Sequence, residues 1–173
     1  SGHIAAVGYE MYCQLLDKAV QDLREGRSPV IKDAMVGLGV TGRLPKVYIS
    51  SEQRRLALYR RLAEAKDLEV LKSVLGDLQS AYGELPTAAN LFVKYHELRI
   101  AATTIEVESI ILQEGDIVLR TRDPEALQNS LKSVKATVRR VGERLSSGAM
   151  TVYVRPVIGV SDPVAILTLL RNA

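Results

Sequence analysis

Apolar residues recur at helical spacing through the first hundred positions, then switch to strand rhythm. Met11, Leu15, Ala19 and Leu23 fall at i, i+4, i+8 and i+12, which predicts a helix over about 9–25. Gly26 stops it, and 27–33 follow as a linker. Residues 34–49 are expected to be extended, because Pro45 cannot sit inside a helix and biases Leu44 towards β geometry. Ser50 and Gln53 have the spacing of a capping box. The helix behind them carries Leu56, Tyr59, Leu62 and Ala63 on one face and ends near Lys66. Asp67 caps a third helix with the stripe Leu68, Leu71, Val74, Leu75 and Leu78. It stops at Tyr82-Gly83, with Gly83 in the position after the helix that favours a left-handed backbone. Pro86 opens a fourth helix at its tolerated first turn. Leu91, Tyr95, Leu98 and Ala102 form its seam, with Phe92 at the edge.

The second half changes period. Residues 105–112 and 117–121 are β-rich and joined by Gln113-Glu114-Gly115-Asp116, a hairpin signal. Asp123-Pro124-Glu125 caps a short helix that runs to about Leu131. Residues 134–141 and 151–154 predict two more strands, split by Ser146-Ser147-Gly148. Asp162-Pro163 opens a final helix through Leu170. The expected class is α+β: a helical N-terminal half of about four helices, then a small, mainly antiparallel sheet with two further helices. The 173 residues suit a single domain, with a possible subdivision into a helical part, 1–104, and a β-rich part, 105–173. A chain of this length buries enough surface to fold without a metal or disulfide staple.

Charge narrows the function classes. The net charge is +3, but Lys and Arg are interleaved with Asp and Glu almost everywhere. A nucleic-acid binder gathers its positive charge on one face. The tightest basic run is Arg54, Arg55, Arg60 and Arg61 on the second helix. That run supports the rival reading of a nucleic-acid-binding accessory module. Cys13 is alone in the chain, which excludes an internal disulfide and suits a buried thiol. No apolar run approaches the length of a membrane span. The chain starts Ser1-Gly2 without Met, which points to a domain excised from a longer protein.

Candidate chemistry is sparse. Gly37, Gly39 and Gly42 match the spacing of a dinucleotide fingerprint, but Arg43-Leu44-Pro45 follow where a helix should open over the phosphates. An extended, glycine-rich edge segment is the plainer expectation. His3 and His96 are far apart, and His96 lies beside the stripe of the fourth helix. No Cys/His pairing has metal-ligand spacing, and no phosphate-binding G-x-x-x-x-G-K-[ST] occurs. Ser146-Ser147-Gly148 lacks the context of a nucleophile elbow. Asp77 and Ser80 stand at i and i+3 on the third helix, opposite its buried stripe, so both should be exposed. On residues alone they fit an ordinary solvated face; the other reading is a docking contact for a basic partner.

Two blocks of sequence carry a resemblance. The first is Gly2-His3-Ile4, Val7-Gly8-Tyr9, Tyr12 and Leu15-Leu16-Asp17-Lys18-Ala19-Val20. The second is Leu44-Pro45, Tyr48-Ile49 and Arg55-Leu56-Ala57-Leu58-Tyr59-Arg60-Arg61-Leu62-Ala63, followed by Tyr82-Gly83-Glu84-Leu85-Pro86. Together they resemble the C-terminal domain of the bacterial transcription-repair coupling factors (Mfd). The likeness is strongest over 2–25 and 44–105, and weakens in the β-rich part.

The resemblance implies a non-catalytic regulatory domain. The parent family is an ATP-driven DNA translocase that displaces stalled RNA polymerase and recruits UvrA, so ATP and Mg would belong to its motor domains and no cofactor to this fragment. The implied partner is the N-terminal UvrA-binding region of the same chain, which the domain masks as an intramolecular clamp. RNA polymerase, DNA and UvrA are the parent's partners. A cytoplasmic location, no membrane association and a monomeric fragment are implied as well. In the family, acidic residues on the helix before the aromatic-Gly-x-Leu-Pro turn pair with arginines of the partner. The matching positions are Asp77, which keeps the charge, and Ser80, which does not; Glu84 past the turn is the available substitute.

Overall fold

A computed structural model describes residues 33–39, 42–134, 136–141, 145 and 148–156. The expected helices at 9–25 and 162–170, together with His3 and Cys13, lie outside the described residues. The elements are β1 (Met35–Gly37), α1 (Glu52–Glu64), α2 (Leu68–Tyr82), α3 (Thr87–Thr104), β2 (Val107–Gln113), β3 (Asp116–Thr121), α4 (Pro124–Ser130), a 3-10 turn (Leu131–Ser133), β4 (Ala136–Val141) and β5 (Met150–Pro156). The class is α+β, as the periodicity predicts.

Side-chain caps set the helix starts. Ser51, not Ser50, caps α1 by accepting from the Arg54 amide. Asp67 caps α2 through the Val70 amide at 2.8 Å. Asp123 accepts from the amides of Glu125 and Ala126 ahead of α4. Each such cap contributes about 1 kcal/mol. Gly83 ends α2 at φ 82°, where its amide donates to Gln79 O at 2.8 Å. Pro86 stands in the cap position of α3, one residue before the helix proper.

The five strands form one sheet in the order β1-β2-β3-β5-β4. Three pairings are antiparallel; β1 joins the edge parallel to β2. Only Met35–Gly37 of the expected extended stretch 34–49 becomes strand. The parallel pairing follows from connectivity, since α1, α2 and α3 all lie between β1 and β2 and form the crossover that parallel neighbours need. Between β2 and β3, Glu114 and Gly115 take φ 51° and 84°, as a type I′ hairpin turn requires.

Helix α3 is central. Its Tyr95, Leu98 and Ala102 share a core with Ile110, Ile117, Leu119, Val152 and Val154 of the sheet and with Leu127 and Leu131 of the α4 region. Its opposite side packs against α1 and α2. The helix is therefore buried on more than the seam that sequence periodicity gives. Phe92, expected at the edge, is 1% exposed, while Leu91 of the expected seam is only partly buried. Phe92 stacks edge-on against Tyr59 of α1 at 5.1 Å and His96 at 4.5 Å. A helix covered on two sides has two buried stripes, and a single-stripe reading finds only one.

Candidate functional site

The buried stripe of α2 is Leu71, Val74 and Leu78. Helical spacing then turns Asp77 and Ser80 outward, and both are exposed as expected. Glu84 is exposed just past the Gly83 turn. That turn is pinned from outside: the Tyr48 hydroxyl donates to Gly83 O at 2.8 Å, and the Tyr48 and Tyr82 rings lie 5.9 Å apart. Asp77, Ser80 and Glu84 thus follow one another along the exposed side of α2 and its C-terminal turn.

Asp77 already has a partner. Arg61 Nη2 of α1 donates to Asp77 Oδ2 at 2.6 Å, with both side chains about half exposed. Arg54, Ala57, Leu58, Leu78, Ala81 and Tyr82 complete a shallow groove of about 260 Å³ around that pair. Sequence reasoning missed Arg61 in this role. Its signal lies only in the packing of α1 against α2, which no local spacing encodes.

Of the four arginines of the rival reading, Arg54 and Arg61 line one groove, while Arg55 is tied to the chain ahead of α1. Arg55 Nη1 turns back to donate to Ile49 O at 2.6 Å and Ser50 O at 3.0 Å, tying the α1 start to its incoming chain. Arg61 is held by Asp77. Arg54 lines the groove and Arg60 is exposed.

The remaining chemistry is structural. His96 is fully buried; its Nδ1 accepts from Arg99 Nε at 3.3 Å and its Nε2 has no partner. Burial first, and the Arg99 charge second, push the imidazole down to about 3. Arg99 Nη2 donates to Ala65 O at 2.7 Å and to Leu62 O at 3.5 Å, and its Nη1 lies 3.6 Å from Asp33 Oδ1. Arg99 therefore caps the end of α1 from inside α3. Burial lowers its pKa, partly offset by Asp33. An imidazole kept neutral and enclosed this way is a core group rather than a base or ligand. Among the described residues, no group of three His, Cys, Asp or Glu stands close enough to hold a metal ion. No helix among them is long and apolar enough to cross a membrane.

The glycine triplet does not have the strand-loop-helix context of a phosphate cradle, and its third member is a packing residue. Gly37 is a strand residue in β1, and no helix opens after Gly42. A Cβ on Gly42 would stand 2.3 Å from Phe92 N and 2.6 Å from Ala88 O. Arg43 N donates to Ala88 O at 3.0 Å. The third glycine lets this segment press directly on the α3 backbone.

Comparison with known proteins agrees with this arrangement. The model of the TRCF domain matches residues 38–131. The transcription-repair-coupling factor of Haemophilus influenzae is 33% identical over 115 residues, covering 64% of this chain and 10% of that protein. That of Helicobacter pylori strain J99 is 27% identical over 133 residues, covering 77% and 13%. That of Mycobacterium tuberculosis is 32% identical over 111 residues, covering 58% and 9%. The chain thus spans about a tenth of the length of the relatives it matches. A crystal structure of the C-terminal domain of transcription-repair coupling factor superposes with a TM-score of 0.59 at 12% identity, covering 80% of this chain and 91% of that one. At that identity the match speaks for the fold.

Proposed function

Because the chain belongs to the TRCF domain family, we propose that it is a non-catalytic regulatory domain of a transcription-repair coupling factor, closing over that protein's own UvrA-binding region. The observation that carries this reading is the exposed Asp77 carboxylate on α2, nearly two helical turns ahead of Gly83. A carboxylate has lone pairs for a second guanidinium, so a partner arginine can join Asp77 without displacing Arg61. Ser80 offers a hydroxyl and no charge; Glu84 is the second acid of the same surface. The parent would supply the ATP- and Mg-dependent translocase and the contacts to RNA polymerase and DNA.

Weak contacts suffice for such a clamp. Exposed ion pairs contribute about 0–1 kcal/mol each. Tethering in one chain raises the effective partner concentration, so a modest interface can stay closed and still open when the motor engages. UvrA binding to the full-length parent, with and without residues 1–173, tests the proposal. Tighter binding on deletion, partly reproduced by Asp77→Arg, supports a mask. Unchanged binding removes the mask and leaves the fragment's role to its other surfaces.

A further inference from the structure

The sheet face turned away from α3 carries cations around one aromatic ring. Along β5, Val152 and Val154 enter the core, so Thr151, Tyr153 and Arg155 point to the other side. The register carries that face across three strands. Tyr153 is flanked by Arg139 of β4 on one side and Val118 of β3 on the other, and Arg120 of β3 pairs with Thr151. Asp116 organises the cations: Arg155 donates to its two oxygens at 2.6 and 2.7 Å, and Arg139 Nη2 lies 4.0 Å away. Three guanidinium groups against this one carboxylate leave an excess of two positive charges. Arg139 and Arg155 remain 59% exposed, and Arg120 is exposed as well. Tyr153 is half-buried, with Val118 beside it as an apolar floor.

A partly exposed aromatic ring with exposed Arg139 across the strand and Arg155 two residues on suits an unstacked base flanked by phosphates. We propose that this face binds a single-stranded polynucleotide, with Tyr153 stacking on a base and Arg120, Arg139 and Arg155 meeting the neighbouring phosphates. An acidic polypeptide would use the charges but leave the ring without a role. The surface is separate from the α2 face and from the α1 arginines, so it stands or falls independently of the clamp.

The test is fluorescence anisotropy of the intact 173-residue chain with labelled dT20 and U20 over a range of salt. The logarithm of the affinity should fall linearly with the logarithm of the salt concentration. Tyr153→Leu should weaken binding on the order of tenfold with little change in slope. Arg120→Gln and Arg139→Gln should each reduce the slope by about 0.7. Asp116→Asn should tighten binding, a gain that misfolding cannot imitate. The proposal is overturned if neither oligonucleotide binds, if polyglutamate competes while the Tyr153 variant binds normally, or if only Arg54→Gln and Arg60→Gln weaken binding.

Discussion

Arg61 and Asp77, 2.6 Å apart, join α1 to α2 across an exposed seam. The pair spans two packed helices whose buried side chains are Leu58, Leu62, Leu71, Val74 and Leu78. Screened by solvent, it contributes at most about 1 kcal/mol. Asp77→Ala should therefore lower stability by less than about 1 kcal/mol in denaturant titration, with an unchanged m-value. In the parent, Arg61→Ala should strengthen the clamp, because it removes a like charge that a partner arginine would meet beside Asp77. Weaker UvrA binding than wild type would be its signature; stronger binding would place Arg61, not Asp77, in the docking contact.

His96 makes stability fall with acid. Its imidazole titrates near 3 when folded and near 6.5 when unfolded. The unfolded chain therefore takes up a proton first as pH drops. The stabilising effect of the neutral group is complete above about 6.5 and is lost progressively towards 3. The loss should run at about 1.4 kcal/mol per pH unit between pH 6 and 5, where few carboxylates titrate. His96→Gln keeps an acceptor for Arg99 and cannot titrate. Urea melts across that window should show a flattened pH dependence; an unchanged slope would place the acid sensitivity elsewhere.

Gly42 has no room for a side chain. Its φ is 67°, and an added Cβ would meet α3 backbone atoms at 2.3 to 2.8 Å. Gly42→Ala should cost about 3 kcal/mol or more, combining a left-handed backbone with a clash against a rigid helix. Gly39, also at positive φ, has nothing within 4 Å, so Gly39→Ala should cost only about 1 kcal/mol. Paired thermal melts separate the two; equal losses would mean that the α3 backbone yields.

The legible parts of this chain were those with a local signal. Asp67, Gly83, Asp123-Pro124 and Glu114-Gly115 fix helix ends and a hairpin through atoms a few residues apart, and these boundaries agree with the sequence to within one or two positions. The exposure of Asp77 and Ser80 followed from the stripe opposite them. What spacing could not give depends on distant partners. The parallel pairing of Met35 with Ser109 needs three intervening helices to be laid down first. Phe92 looked marginal because its neighbours, Tyr59 and the Gly42 segment, come from other elements. The choice of Ser51 over Ser50 as a cap turned on one residue of chain direction. The ring-and-arginine face stayed hidden because Arg120, Arg139 and Arg155 are scattered in sequence and meet only through strand register.

Arg99 joins the two halves of the helical layer, and among the buried polar side chains its removal should be the most damaging change. The guanidinium is buried, donates to Leu62 O and Ala65 O, and shares a hydrogen bond with His96. The last carbonyls of a helix lack internal partners, so without Arg99 those of α1 would sit against α3 unsatisfied. Each such buried group costs about 1–3 kcal/mol. Arg99→Leu recovers some desolvation energy of the charge and adds apolar contact, yet leaves the carbonyls and His96 Nδ1 bare. The expected net loss is about 3 kcal/mol, a fall in melting temperature on the order of 10 °C. Arg99→Lys keeps a charge but has one ammonium in place of a planar fork, so it should recover less than half of the loss. Hydrogen exchange should then show faster opening at the α1 C-terminus, around 62–65, than at the sheet. Equal protection of both regions in Arg99→Leu would mean that α1 is held by its apolar face alone.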